Sequence, residues 1–382
     1  MRISKSQAQK FILMKQGLYG PYKFTGKAGI MDYIRQAGCI QFDPIDICGK
    51  NHELVLQSRV EGFRKKQLYE LLYDDRTLVD LFDKNMAITR VEDWPYLDHF
   101  REHHQNSGRG KDEIDRIAAD ILNHIEKNGP VCSADIQYNE KVNWYWAPTT
   151  LSRAALDTLY YRGDLVIHHK KNTRKYYDLA RKHIPTHILG MPNPNDSPES
   201  RYTWHLLRRI NSIGLLWNRA SDAWLGISGF KTKQRNAAFS QLLSDAVIKE
   251  IAVDGINFPL YAPAEDEILL NEIIHTENKS RRTEFIAPLD NMMWDRRLIK
   301  ELFGFDYKWE IYTPTKDRKF GYYVIPLLYS GRLAGRIELK KDPINGKMNI
   351  ANLWLEPGTR ETKKLHNSIN RRLKIFNHFY KS

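Results

Sequence analysis

The sequence predicts an α+β protein, with tandem winged-helix (helix-turn-helix) domains followed by a C-terminal β-rich domain. Three observations lead there. Between residues 112 and 177 the order is helix, helix, helix, basic hairpin, and a similar order recurs after the linker Pro192-Asn193-Pro194-Asn195-Asp196-Ser197-Pro198. From about Arg281 the chain turns to alternating or apolar runs broken by turns. At 382 residues there is room for several domains and a sizeable core.

Taken in order, Ser4 or Ser6 can cap a first helix that carries Phe11, Ile12 and Met14 and stops near Gly17. A second helix over 26–36 delivers the chain into Cys39-Ile40-Gln41-Phe42-Asp43-Pro44-Ile45, whose alternation predicts a strand. Ile40 and Phe42 then point inward, and Gln41 and Asp43 share the other face. Pro44 biases Asp43 towards extended geometry and donates no ladder bond, so the strand should end with the carboxylate at its tip. A mixed segment with His52, Leu54, Val55, Leu56 and Arg59 leads to a helix over 65–73, closing a mostly helical domain over 1–107.

Gly108-Arg109-Gly110-Lys111 reads as a linker into a second domain over 108–190. Residues 112–128 form an amphipathic helix with Ile114, Ile117, Ile121, Leu122 and Ile125 as its stripe. Ser133 can cap a short second helix, and Thr149 or Thr150 a third over 151–162, which Gly163 ends. Leu165-Val166-Ile167, a basic turn over 168–175 and a return strand through Tyr176 and Tyr177 complete helix-turn-helix plus wing. A third domain over 198–280 has helices at 200–216, 220–225 and 233–243, then a hairpin from 247–253 and 258–261. The last domain, 281–382, has strands at 309–312, 322–325, 336–339 and 351–354 and a basic helix over 361–379.

Lys plus Arg number 59 against 46 Asp plus Glu, a formal net charge of +13, which favours a polyanionic partner: nucleic acid ahead of an anionic membrane. No apolar run approaches the ~18 residues of a spanning helix, so the protein is expected in the cytoplasm, nucleoid-associated when bound to DNA. Cys39, Cys48 and Cys132 form no Cys-x-x-Cys pair, and neither a disulfide nor a zinc site is expected. His99 and His103 are four apart but lack a third ligand, and with His104 read as a solvated face. There is no phosphate-binding loop and no Gly-x-Ser-x-Gly elbow, so no nucleotide cofactor is expected.

By residue frequencies Gln-x-Asp turns up about once in a chain of this length, so its surroundings must carry the weight. An amide and a carboxylate on one face can reach one water, the arrangement hydrolysis needs. Of the basic residues, Lys170, Lys171, Arg174 and Lys175 fall where a wing would touch a nucleic-acid backbone, although a charge run is ordinarily a solvated tip. Thr149, Thr150, Ser152 and Arg153 open the third helix, a cap in any reading and a DNA contact in this one. Lys233 and Arg235 hold the same place in the later domain.

Several segments together resemble the winged-helix DNA glycosylases of the AlkZ and YcaQ type: Gln16-Gly17-Leu18, Ile40 to Ile45, His52 with Leu54-Val55-Leu56 and Ser58-Arg59, Ala287-Pro288-Leu289-Asp290-Asn291, and Trp294-Asp295-Arg296-Arg297. Phe303-Gly304-Phe305-Asp306-Tyr307, residues 321–326, Gly331-Arg332-Leu333 and Gly335-Arg336-Ile337 extend the likeness over essentially the whole chain. The resemblance implies a concave basic surface around duplex DNA, three winged-helix units and catalysis by Gln41 and Asp43. It also implies DNA contacts from His52, Arg59 and Arg296. The AlkZ branch carries Gln-x-Gln, and Asp43 in the last place resembles the YcaQ branch, which implies a monomeric, monofunctional enzyme excising N7-alkylguanine and unhooking interstrand crosslinks without a cofactor. The rival reading is a non-enzymatic winged-helix transcriptional regulator, in which Gln41 and Asp43 merely terminate a strand.

Overall fold

The computed structural model describes residues 1–145, 147–275 and 280–382. They pack as two units. Met1–Leu68, Asp83–Ile88 and Ser197–Ser382 form one, and Tyr69–Phe82 with Thr89–Asp196 the other. The four consecutive domains expected from sequence are therefore shared between two bodies: 1–107 is divided, while 198–280 and 281–382 lie together. The reason is a pooled core, in which Phe11 and Ile12 share one apolar cluster with Ile210, Trp217, Leu298 and Leu328. No helix among the described residues is long and apolar enough to cross a membrane.

The smaller unit holds the expected first and third helices and the basic hairpin. Helix Lys111–Asn128 buries Ile114, Ile117, Ile121 and Ile125 at three- and four-residue spacing. Helix Leu151–Arg162 ends at Gly163 in the left-handed conformation, and strands Leu165–Lys171 and Arg174–Leu179 pair antiparallel as the wing. No helix forms after Ser133, a correction. The Asp135 carboxylate accepts from Cys132 N at 2.8 Å, a local bond that competes with helix, and Lys141–Val142 pairs instead with Thr149–Thr150.

In the larger unit, Ser4 and Gln7 form a reciprocal capping box that starts helix Lys5–Lys15. Helices Gly26–Ala37, Thr232–Ser244 and Lys363–Tyr380 lie within one to two residues of their sequence-based bounds. Hairpin Ile248–Val253 and Leu260–Pro263 joins Arg2–Ile3 and Leu216–Trp217 in a four-stranded sheet. Thr283–Phe285, Val324–Tyr329, Arg332–Lys341 and Met348–Leu355 form an antiparallel sheet in chain order. Trp309 to Tyr312 is not a strand, contrary to its apolar alternation. Glu310 folds inward and accepts backbone bonds from Lys319, Phe320 and Gly321 at 2.9, 2.8 and 3.2 Å, organising a loop.

At the centre of this unit Arg59 is wholly buried. Its guanidinium meets both oxygens of buried Asp290 at 2.8 and 2.7 Å, donates to Gln16 Oε1 at 2.9 Å and to Val55 O at 3.1 Å, and lies 4.9 Å from the Tyr33 ring centre. Gln16 donates in turn to Ile213 O at 3.2 Å. One cation thus joins the first helices to the turn at Asp290. Removing one partner of such a pair strands a buried charge, so Arg59→Ala should lower unfolding free energy by about 3–5 kcal/mol. Urea unfolding of the purified variant measures it, and a change below about 1 kcal/mol would remove Arg59 from this role.

Candidate active site

The strand bearing Gln41 is shorter than its alternation predicts: it covers Cys39–Gln41, and Asp43 lies just beyond. Pro44 follows, and the Asp43 carboxylate accepts from Ile45 N at 2.9 Å, closing a local turn in place of a ladder. Gln41 and Asp43 therefore do not share a strand face. They sit on either side of Phe42, whose N–H still donates to Met86 O at 2.8 Å. Phe42 stacks on His52, with ring centres 4.9 Å apart and planes 19° apart.

Phe42 turns its N–H towards Met86, and at strand period two the carbonyls of 39 and 41 face the opposite edge. Two asparagines occupy that edge. Asn291 donates to Cys39 O at 2.8 Å, and Asn51 donates to Gln41 O at 2.9 Å while accepting from Leu289 N at 3.0 Å. Just upstream, Arg208 donates to Gly38 O and to Asp83, both at 2.7 Å. Gly38 has φ +77°, and a Cβ there would stand 2.7 Å from the Arg208 side chain, so this approach requires glycine. Sequence reasoning missed Asn51 as a clamp, although it is adjacent to His52. Asn291 was visible only as part of a family segment.

Gln41 is buried, and its Oε1 has no hydrogen-bond partner among the described residues. Asp43 is half-buried. Burial pushes its carboxyl above the usual aspartate range, and the Ile45 N–H only partly offsets this. No described cation pairs with it. Tyr323 is held far above an ordinary phenol, by burial first and by the nearby Cys48, Tyr307 and Asp43, so it remains a neutral hydroxyl. A half-buried carboxylate without a described counterion can hold water and stabilise developing positive charge.

The expected DNA contacts divide. Arg59 is spent on Asp290, and His52 is buried under Phe42, so neither presents a side chain to DNA. Ser152 is buried and donates to Tyr138 O at 2.8 Å, and Arg235 is buried with Nε on Asn218 at 2.7 Å. On the wing, Lys170 binds the buried Asp80 at 2.5 Å and Lys175 lies 3.4 Å from Asp157. Folding gives five of these six polar partners inside the protein, carboxylates for Arg59, Lys170 and Lys175 and neighbouring oxygens for Ser152 and Arg235, while His52 lies under Phe42. Lys171, Arg174, Arg153 and Lys233 are exposed, Thr149 and Thr150 are half-buried, and half-buried Arg296 lies over the Tyr307 ring at 5.5 Å.

Among the described residues His99 and His103 belong to no cluster of three metal-ligating side chains, and His104, expected on a solvated face, is buried. His168, Asp178 and His183 on the wing do bring ligand atoms within 4.8 Å of one another. There the Asp178 carboxylate already meets His183 Nε2 and Leu179 N, both at 2.8 Å, with Lys182 at 3.8 Å.

The fold is similar to that of the Streptomyces sahachiroi DNA glycosylase AlkZ, with TM-score 0.65 and 12% identity over 100% of this chain and 98% of that one. A family model described as DNA glycosylase AlkZ-like matches residues 34–374, which include the strand, its two asparagine clamps and Asp43. The chain belongs to the AlkZ-like DNA glycosylase family, and it is an enzyme that acts on DNA.

Proposed function

We propose that this enzyme is a monofunctional DNA glycosylase that hydrolyses the N-glycosidic bond of N7-alkylguanine and related alkylpurines in duplex DNA and unhooks interstrand crosslinks joined through them. It acts as a monomer, without cofactor, on DNA in the cytoplasm. One observation carries the reading: Asp43 is a partly desolvated carboxylate with no described cation to quench it.

Alkylation at N7 makes the purine cationic, so the glycosidic electron pair leaves with the base and neutralises it without a general acid. Positive charge then develops on the sugar. Ionised Asp43 opposes that charge and takes a proton from the water attacking C1′, while Gln41 orients the water. Neutral guanine does not leave under such modest assistance, and the selectivity is chemical.

Asp43→Asn should therefore lower excision of N7-methylguanine by at least about 100-fold while DNA binding persists. Gln41→Ala should lose less, since the charge remains. Asp43 must be ionised, so activity should fall as pH drops through a pKa lying above the ordinary aspartate value of about 3.9. In the folded state ionisation is disfavoured, so this group's contribution to stability, complete below the unfolded-state value, is lost as pH rises through the raised folded-state pKa. Asp43→Asn should then leave the melting temperature at neutral pH unchanged or raised. Wild-type excision by Asp43→Asn would end the assignment.

The product should be an intact abasic strand, because cleavage through a Schiff base needs an accessible amine. Burial draws the Lys84 ammonium down to about 8, but it is enclosed and lies over the Trp294 ring at 5.2 Å. Borohydride treatment during turnover should trap no protein-DNA adduct. A trapped adduct would mean lyase chemistry.

A duplex joined through two N7-alkylguanines carries the same activating charge on both bases, and water placement at Asp43 does not require the base to be withdrawn. Denaturing electrophoresis of labelled crosslinked duplex should show separated strands after heat or base. Asp43→Gln should reduce unhooking more than it reduces N7-methylguanine excision. Clean excision from a singly alkylated control with no unhooking would confine the enzyme to monoadducts.

A further inference from the structure

The larger unit carries a long open groove of about 1340 Å³ that shares no residue with the strand bearing Gln41. Tyr19 and the end of helix Glu267–His275 line it together with four cation-bearing segments: helix Lys5–Lys15, the chain entering strand Thr283–Phe285, the turn between strands Val324–Tyr329 and Arg332–Lys341, and the start of helix Lys363–Tyr380 with its approach. Lys10, Arg281, Arg332, Arg360 and Lys364 line the groove, and no Asp or Glu is among its described lining residues. Arg281, Arg332, Arg360 and Lys364 are exposed, and no described carboxylate pairs with them.

Several cations of this protein are held by carboxylates. Arg59, Arg208, Lys15 and Lys170 are all bound to buried carboxylates or carboxylates with little exposure. Arg281, Arg332, Arg360 and Lys364 are instead gathered on one groove with no described carboxylate among its lining residues. The backbone under them is ordered by local bonds: Ser330 and Gly331 both have positive φ in a two-residue hairpin turn, and Ser330 N donates to Arg282 O at 2.9 Å. A Cβ on Gly331 would stand 3.0 Å from the Tyr19 ring, so the turn lies against the groove floor. Seryl and threonyl hydroxyls at Ser6, Ser280 and Thr359 supply donors between the cations.

We propose that this groove binds the phosphodiester backbone of duplex DNA, as a second, sequence-independent contact apart from the site at Asp43. The proposal rests on the enzyme acting on duplex DNA. Regularly repeated phosphates suit cations spread over several segments, whereas a compact anion would need them focused on one point. Hydroxyls and guanidinium groups contact phosphates without reading bases, so the groove adds affinity and position but no sequence preference.

The test replaces Arg281, Arg332, Arg360 and Lys364 by Ala together in the full chain and measures affinity for undamaged duplex by fluorescence anisotropy across a salt series. Loss of four phosphate contacts should flatten the log-affinity against log-salt slope by about 0.9 per contact. Binding at low salt should weaken at least about tenfold, equally for unrelated sequences. Unchanged slope and affinity would overturn the proposal. Vesicles containing anionic lipid form the second arm, and loss of vesicle binding with duplex binding intact would likewise overturn it by assigning the groove to a membrane surface. If the fourfold variant does not fold, Arg332→Glu with Arg360→Glu gives the same readout through charge reversal. Undamaged duplex is not cleaved, so the outcome does not depend on whether Asp43 excises anything.

Discussion

The buried pair of Arg59 and Asp290 is the constraint on which the strand bearing Gln41 depends. A guanidinium removed from water is tolerated only when nearly all its donors are met, and here Asp290, Gln16, Ser58 and Val55 meet them. Satisfying that one group fixes the turn at Asp290. The next residue, Asn291, then reaches Cys39 O, and Leu289, the residue before, anchors Asn51 against Gln41 O. The strand edge opposite Met86 is thus held by side-chain amides that have no freedom to move independently of the core.

This arrangement gives several residues of the family-like segments a place inside the molecule. Gln16, Arg59, Asp290 and Asn291 are all buried. Their service is to position, and two of them hold each other. Around them the unit tolerates an opposite situation: Asp43 is partly desolvated with only one backbone donor. Such a group destabilises the fold where it stands, which a rigid surround can absorb. A carboxylate neutralised by a nearby arginine would be more comfortable and chemically inert towards an oxocarbenium-like sugar.

Local signals were legible and long-range ones were not. The Ser4 cap, the isoleucine stripe of 114–125, the Gly163 stop and the basic wing all follow from neighbours within a few residues, and all are present. The helix expected after Ser133 and the strand expected at Trp309 fail because Asp135 and Glu310 turn to bind nearby backbone, a choice that apolar periodicity does not encode. Gln41 and Asp43 could be singled out by type and spacing, and the family model spans them. Their geometry could not, because the strand ends through the Asp43 carboxylate itself. Helices Glu267–His275 and Arg296–Phe303 were absent from the sequence reading, being short segments whose apolar faces are defined only by the shared core.

The charge of the chain shows the same limit most clearly. A net +13 correctly favours a polyanion, yet it says nothing about which cations face one. Lys170 and Lys175 looked available because they lie in a basic run, and both instead meet carboxylates brought close by folding. Arg332 and Arg360, isolated in sequence and unremarked as DNA contacts, line an open groove without a carboxylate among its described lining residues. Clustering along the chain and clustering in space are different quantities, and electrostatic recognition of a phosphate backbone depends on the second.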